Sequence, residues 1–376
     1  MLEAPSLSCP TVGFVRASPA LATERTGMTT MASTAAAVIG GVDTHADVHV
    51  AAACDEIGTV LGTESFPTTA AGYRQLLAWL RSFGELTLVG IEGTGSYGVG
   101  LTRFLLEAGV ELREVLRPNR QVRRRHGKTD IIDAIAAARS VINGDAKARP
   151  KSHDGAVEAL RALKIVHRSA NKARTQALNQ IRDLITTAPD ELRAELRGLR
   201  RRQRLAVCAA FRPGDRDDLL AITKLTLRTL ARRVAELDEE IAQLDARRRR
   251  ITKTIAPALV AAHGIGPDTA TGLLLSAGDN PDRLGSERSW AALLATNPIP
   301  ASSGKTKRHR YNPGGDRQGN SAIWRIVMVR MASDPRTKAY VDRRTKEGLS
   351  KPEIIRCLKR YVARETFDLL PRELLV

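Results

Sequence analysis

The chain has 376 residues, 43% hydrophobic and only 4% aromatic, which at roughly 100–200 residues per domain suits two or three globular domains with cores of Ala, Leu, Val and Ile. Lys and Arg number 59 against 41 Asp and Glu, a net charge of +18 clustered in RQVRRRHGK (120–128), RGLRRRQR (197–204), RRRR (247–250) and KTKRHR (305–310), and so the footprint of a polyanion-binding protein rather than of a merely basic one. No apolar run approaches the ~20 residues of a membrane helix, and Cys9, Cys54, Cys208 and Cys357 form no CxxC pair, which excludes a sequence-local zinc site and fits a reducing, cytoplasmic compartment.

Residues 1–36 lack a basic start followed by an apolar core, so they read as a disordered tail rather than a secretory signal. Met1, Met28 and Met31 are all possible starts. From Ala37 the pattern is strand-like. AVIGGVD, VHVAAAC (48–54) and TVLGTESF (59–66) read as three short strands, the last two joined by the turn DEIG. TAAGYRQLLAWLRSFG (69–84) has Tyr73, Leu76, Leu77 and Leu80 at helical spacing and a Gly stop. LTLVGIE (86–92), YGVGLTRFLLEAG (97–109) and ELREVL (111–116) continue as strand, helix, strand. After a basic loop, Thr129 opens another helix as N-cap. The order βββαβαβα predicts a mixed sheet with helices packed on it, an α/β domain over 37–153.

Four carboxylates fall at element boundaries in this domain. Asp43 follows the first apolar run and Glu92 follows LTLVGI, while Asp130 and Asp133, three apart in KTDIIDA, share one face of a helix. Each has an innocent reading, as turn residue, loop acid or complement to a helix N-terminus. Clustered, they would repel one another without a cation. A pair of Mg²⁺ ions about 3.5–4 Å apart, bound by hard oxygen ligands, would make them a site for phosphoryl transfer on nucleic acid. Arg123, Arg124, Arg125 and Lys128 precede the last two acids and are candidates to grip phosphates.

From 154 to 260 the chain is rich in Ala, Leu and Arg. Leu163, Val166, Ala170, Ala173 and Ala177 step by three and four, and the spacing returns after RPGD (212–215) in Leu227, Leu230, Val234, Leu237, Ile241 and Leu244. This is a heptad seam; a hairpin within one chain, a coiled-coil dimer between chains and two ordinary bundle helices all satisfy it. Residues 261–376 form a mainly helical third region. HGIGPDTATGLLLSAG (263–278) resembles a helix–hairpin–helix turn, whose backbone N–H groups would approach a phosphate. NPIPASSGKTKRHRYNPGGDRQGN (297–320) is too long to be a mere connector. In it Ser302 and Ser303 stand before Gly304, followed by Lys305, Lys307, Arg308 and Arg310. A serine hydroxyl can attack a phosphodiester where cations hold the anionic transition state, although Ser-Ser-Gly is also common loop chemistry.

GVDTHADVHV, IEGTGSYG, KTDIIDA, HGIGPDTA, PIPASSGKTKRHRYNPGGDRQGN and IIRCLKRYVARE together resemble the insertion-sequence one-hundred-and-ten family of bacterial transposases, from about Ala37 to Leu370. The resemblance implies a ribonuclease H-like catalytic domain (37–153), a helical coiled-coil arm (154–260) and a C-terminal transposase domain (261–376). It implies an Asp-Glu-Asp-Asp metal tetrad at Asp43, Glu92, Asp130 and Asp133, and a nucleophilic serine at Ser303, with Ser302 as fallback. It further implies Mg²⁺ as cofactor, donor and target DNA as substrates, a structured bridge RNA as partner, and dimers assembling to tetramers with a composite active site. A nucleoid-associated cytoplasmic enzyme would follow. Two other readings stand beside this one: a Holliday-junction-type endonuclease in which water attacks, and a non-catalytic nucleic-acid scaffold. With no GK[ST] phosphate loop, no nucleotide energy source is expected.

Overall fold

The structure, a computed structural model, describes residues 36–116, 129–305 and 309–371. Three strands, β1 (Ala37–Thr44), β2 (Val48–Cys54) and β3 (Val60–Pro67), form an antiparallel meander. The β2–β3 turn is set by Asp55, whose carboxylate accepts from the backbone N–H of Ile57 and Thr59. The chain then crosses through helix α1 (Ala70–Ser82), capped by Thr69, to β4 (Glu85–Glu92), and through α2 (Val99–Glu107) to β5 (Leu112–Val115). Both new strands are parallel to β1, and the sheet order is β3-β2-β1-β4-β5. Helix α3 (Asp130–Ile142) completes the mixed α/β unit, with Thr129 accepting from Ile132 N–H at its start.

The period-two alternation of a strand sends successive side chains to opposite faces. Val38 and Val42 of β1 enter a core with Leu76, Leu80, Ile91, Leu101 and Leu105, under α1 and α2. Ile39, on the other face, joins Cys54, Val115, Ala137, Ala138 and Val141 under α3. Two helices on one face and one on the other is the ribonuclease H-like arrangement expected from the element order.

A short connector joins this unit to the helical remainder and is held from both sides. Arg103 Nε donates to His153 O at 2.6 Å, and Glu114 N–H to Ala148 O at 2.7 Å. From the other side Lys151 donates to Leu275 O, and Asn280 donates to Pro150 O while accepting from Ser152 N–H.

Helix α4 (Ala156–Thr187) begins at the connector, capped by the Asp279 carboxylate on the N–H groups of Val157 and Glu158. The shorter α5 (Asp190–Arg197) and α6 (Arg201–Ala210) turn the chain back into α7 (Leu219–Ile255). Arg174 pairs with Asp238, and His167 Nε2 lies 3.1 Å from Asp245. The partners step in opposite directions, so α4 and α7 run antiparallel within one chain. The buried contact uses Ala170, Ala177, Ile181, Leu227, Ala231 and Val234. Ala231 rather than Leu230 is the buried residue of that turn, because alanine lets the two backbones approach. Val166, expected in the seam, is exposed.

The remaining helices are α8 (Pro257–Ala261), α9 (Pro267–Ala277), α10 (Glu287–Leu293), α11 (Arg317–Ser333), α12 (Pro335–Lys346) and α13 (Lys351–Asp368). They enclose a core around Trp290, Leu273, Ile323, Ile326 and Leu358. A two-stranded hairpin, β6 (Ile299–Pro300) with β7 (His309–Arg310), lies between α10 and α11.

At the helix–hairpin–helix-like turn, the start of α9 carries Asp268, whose carboxylate is held by Arg248 and Arg325. A phosphate approaching there would meet a carboxylate, so the turn serves to pack the arm. Arg248 is 2% exposed and is also bonded to Asp245 at 3.0 Å. Truncating it removes the buried guanidinium that links two half-exposed carboxylates, while Arg325 still meets Asp268. Arg248→Ala is expected to cost about 1–3 kcal/mol, the loss of hydrogen bonds to charged groups, seen as a lower urea midpoint for the full chain.

Candidate metal centre and serine hairpin

The acids converge because of what the sheet does at one end. Val42 of β1 is paired with Ile91 of β4, so Asp43 and Glu92 follow side by side at the carboxyl ends of parallel strands. Thr44 Oγ1 locks the two ends together by donating to Glu92 O at 2.7 Å in a buried position. Parity places Asp43 with Ile39 and Gly41, and Glu92 with Gly90, on the α3 face.

Gly41 and Gly90 then decide how close α3 comes. A Cβ on Gly41 would lie 2.2 Å from Ala134 O and 2.3 Å from Ala138 N, and one on Gly90 would lie 2.7 Å from Ala137 O. The helix backbone therefore rests directly on the sheet. Its first turn, carrying Asp130 and Asp133, is delivered to the strand ends.

Asp43, Glu92 and Asp133 are 6%, 7% and 5% exposed, while Asp130 is open to solvent on one side. Burial pushes the Asp43 carboxyl above the usual aspartate range; His45 pulls it back, and the charges of Asp133 and Asp130 push it further up. Asp43 therefore senses both helix acids. Glu92 and Asp133 line one groove of about 530 Å³ with Leu116, Ile132 and Arg139. All four sequence-selected acids thus stand at the same end of the sheet.

His45 joins them, and the reading of the sequence gave it no role. Its Nε2 lies 3.1 Å from Asp43 Oδ2 and 3.3 Å from Asp130 Oδ1. One donor atom from each of Asp43, His45 and Asp130 falls within 4.8 Å of the others, a spacing that could hold a metal ion. The signal was present in GVDTHADVHV as a ring nitrogen two residues beyond a strand-end acid. The oxygen-rich donor set fits a hard divalent cation, and an imidazole beside it also admits softer divalent ions.

The serines lie elsewhere in the described residues. Ser302 and Ser303 sit between β6 and β7, where Ile299 pairs with Arg310 and Pro300 with His309. Ser303 is exposed, Gly304 takes a positive φ of 54° that suits glycine, and Lys305 and Arg310 flank the loop in solvent. Neither serine lines the acidic groove. The other selected cations, Arg123, Arg124, Arg125, Lys128, Lys307 and Arg308, lie outside the described residues.

Two family models match the chain. One, the DEDD transposase model of the IS110 type, covers residues 40–189. The other, described as transposase IS116/IS110/IS902 family, covers residues 256–342. The four acids and His45 fall within the first span and Ser303 within the second. Among curated proteins, none matches the chain.

Proposed function

The chain belongs to the IS110 family of transposases, enzymes that act on DNA, and from that premise we propose that it cuts and rejoins DNA strands with Ser303 as nucleophile and Asp43, Glu92, Asp130 and Asp133 as ligands of Mg²⁺. The observation that carries this reading is the meeting of Asp43, His45 and Asp130 at the strand ends, beside Glu92 and Asp133. When bound, two such ions neutralise charge at the phosphorus and lower the proton affinity of the attacking oxygen.

The protein's own residues do the rest. Gly41 and Gly90 seat α3, Thr44 fixes the end of β4, and His45 holds Asp43 and Asp130 at working distance. Ser303 Oγ would give its proton to solvent and form a bond to phosphorus as the P–O bond on the far side breaks, the departing oxygen taking up a proton and leaving as the hydroxyl of the free strand. Rejoining reverses this order onto another strand end, so the phosphodiester bond energy is conserved. Lys305 and Arg310, exposed on either side of the serine loop, would hold the phosphate.

The net charge of +18 serves RNA as well as DNA, because phosphate contacts carry no sequence. In the same reading a structured bridge RNA selects the sites by base pairing. The acids of one subunit would meet the serine of another in a dimer or tetramer, on the bacterial nucleoid. No helix among the described residues is long and apolar enough to cross a membrane.

The separate placement of the serine hairpin and the acidic groove within one chain favours a second reading, in which water attacks as in a junction-resolving endonuclease. One experiment separates them. On a nicked site DNA that traps the intermediate, a covalent protein–DNA adduct is expected for the full chain and for Ser302→Ala, and none for Ser303→Ala. An adduct that survives Ser303→Ala rejects the serine assignment. Cleavage with no adduct in any variant selects the water mechanism.

A further inference from the structure

A cavity of about 870 Å³ opens beneath the serine hairpin, between β7, α11 and α13. It falls in the range of about 300–1,000 Å³ typical of ligand pockets, and it shares no lining residue with the acidic groove. Its walls gather most of the exposed Trp and Tyr of the described residues. Of three Trp and five Tyr in the sequence, Trp324, Tyr311 and Tyr361 all line it. They are exposed by 47%, 68% and 53%. Flat apolar rings left in water in one place mark a binding surface rather than a core. Tyr361 is pre-oriented by an edge contact with Tyr340, ring centroids 5.7 Å apart.

The cations around these rings divide into two groups. Arg360 is committed to Glu287, and Lys359 donates to Asn320 Oδ1 at 2.7 Å, so both build the wall. Arg310, Arg317 and Arg364 also line the cavity, and no ion pair engages them among the described residues. Among the described residues Glu353 is the one acid in the lining; it caps α13 through Ser350 and lies 4.0 Å from Arg356, a further cation of the wall.

Aromatic faces interleaved with unpaired guanidinium groups suit one kind of ligand. A duplex presents phosphates but keeps its base faces stacked, whereas an unpaired strand offers both. Position then selects which strand. Arg310 lies on β7, and β7 is the second arm of the hairpin that carries Ser303.

We infer that this cavity takes the unpaired DNA nucleotides flanking the strand end handled by the serine hairpin, with bases stacked on Trp324 and Tyr361 and phosphates met by Arg310, Arg317 and Arg364. The choice of DNA strand rests on the proposed function; the preference for unpaired nucleotides rests on the cavity alone.

The test is binding of the full chain, without divalent metal, to a short fluorescein-labelled oligothymidylate, read by anisotropy. Trp324→Ala is expected to weaken binding by about 5- to 150-fold, the ~1–3 kcal/mol that one stacked base is worth. Trp324→Phe keeps a stacking face and restores most of the affinity. A duplex of the same length loses little in either variant. Arg317→Gln and Arg364→Gln, which leave the rings in place, are each expected to lower the slope of log affinity against log salt by about 0.7.

Unchanged single-strand affinity in Trp324→Ala, or an equal loss for duplex, overturns the inference. Tighter binding of oligouridylate than of oligothymidylate overturns the assignment to DNA. The measurement uses neither divalent metal nor strand cleavage. Failure of the catalytic reading therefore shows in the adduct assay and leaves this measurement standing.

Discussion

Gly41→Val is expected to reduce metal-dependent DNA cleavage by about 100-fold or more without touching any acid. The site depends on α3 lying against β1, and at Gly41 that contact is backbone to backbone. Ala134 O and Ala138 N stand 2.2 and 2.3 Å from where a Cβ would be. Neither can rotate away as a side chain would, so the helix must lift or the strand must bend. Overpacking of this kind costs about 1–3 kcal/mol or more, and the displacement is passed to Asp130 and Asp133 in the first turn of the same helix. A shift of about 1 Å at a reacting centre is enough for a ~100-fold loss. Gly41→Ala should lie between the parent and Gly41→Val. Gly198→Ala, at a glycine with open space around it, should match the parent in both cleavage and urea midpoint. A Gly41→Val protein that cleaves at the parental rate would mean that α3 does not position the acids.

The difference between Gly41 and Asp43 is also the difference between what can and cannot be read from residues alone. Asp43 and Glu92 stand out in the sequence because each ends an apolar alternation, and strand periodicity is a local property. Thr129 is equally legible, since a helix N-cap concerns its own next turn. Gly41 reads there only as part of an apolar run. Its role comes from Ala134 and Ala138, more than ninety positions on, in an element whose approach no local pattern encodes.

His45 has the same history. The ring is placed by one neighbour two residues back and by another on α3, and a lone histidine after a strand carries no signal of the second. The arm shows the limit from another side. Its seam spacing predicts apolar contact but is indifferent to partner, and the choice of an antiparallel pair within the chain is made by α5 and α6 turning it back. Tyr311, Trp324 and Tyr361 come from a loop and two helices. Only the packing of α11 beside α13 makes them one surface.

Asp43→Asn is expected to reduce cleavage by about 10²–10³-fold, the usual cost of removing one electrostatic contributor to a transition state, and yet to melt at a higher temperature than the parent when metal is absent. Burial raises the Asp43 carboxyl above its ordinary range, and the charges of Asp133 and Asp130 add to that. A carboxyl whose folded value is raised binds its proton more tightly in the native state than in the unfolded chain. Its ionisation therefore weakens the fold as pH rises through the ordinary aspartate range and past the raised value, and the cost is fully present at neutral pH. Asparagine removes that charge. The gap in melting temperature should be widest near neutrality and should close on acidification below the ordinary aspartate range, where both proteins carry a neutral group at position 43. Divalent metal should stabilise the parent far more than the variant. An ion that binds only the native state stabilises it by about 2.7 kcal/mol at a concentration 100 times its dissociation constant. Adding Mg²⁺ should raise the parental melting temperature and leave Asp43→Asn nearly unmoved. An equal metal-induced shift in both proteins would place the ion away from Asp43, and a variant that melts lower than the parent in chelator would mean that the contact between Asp43 and His45 outweighs the repulsion among the acids.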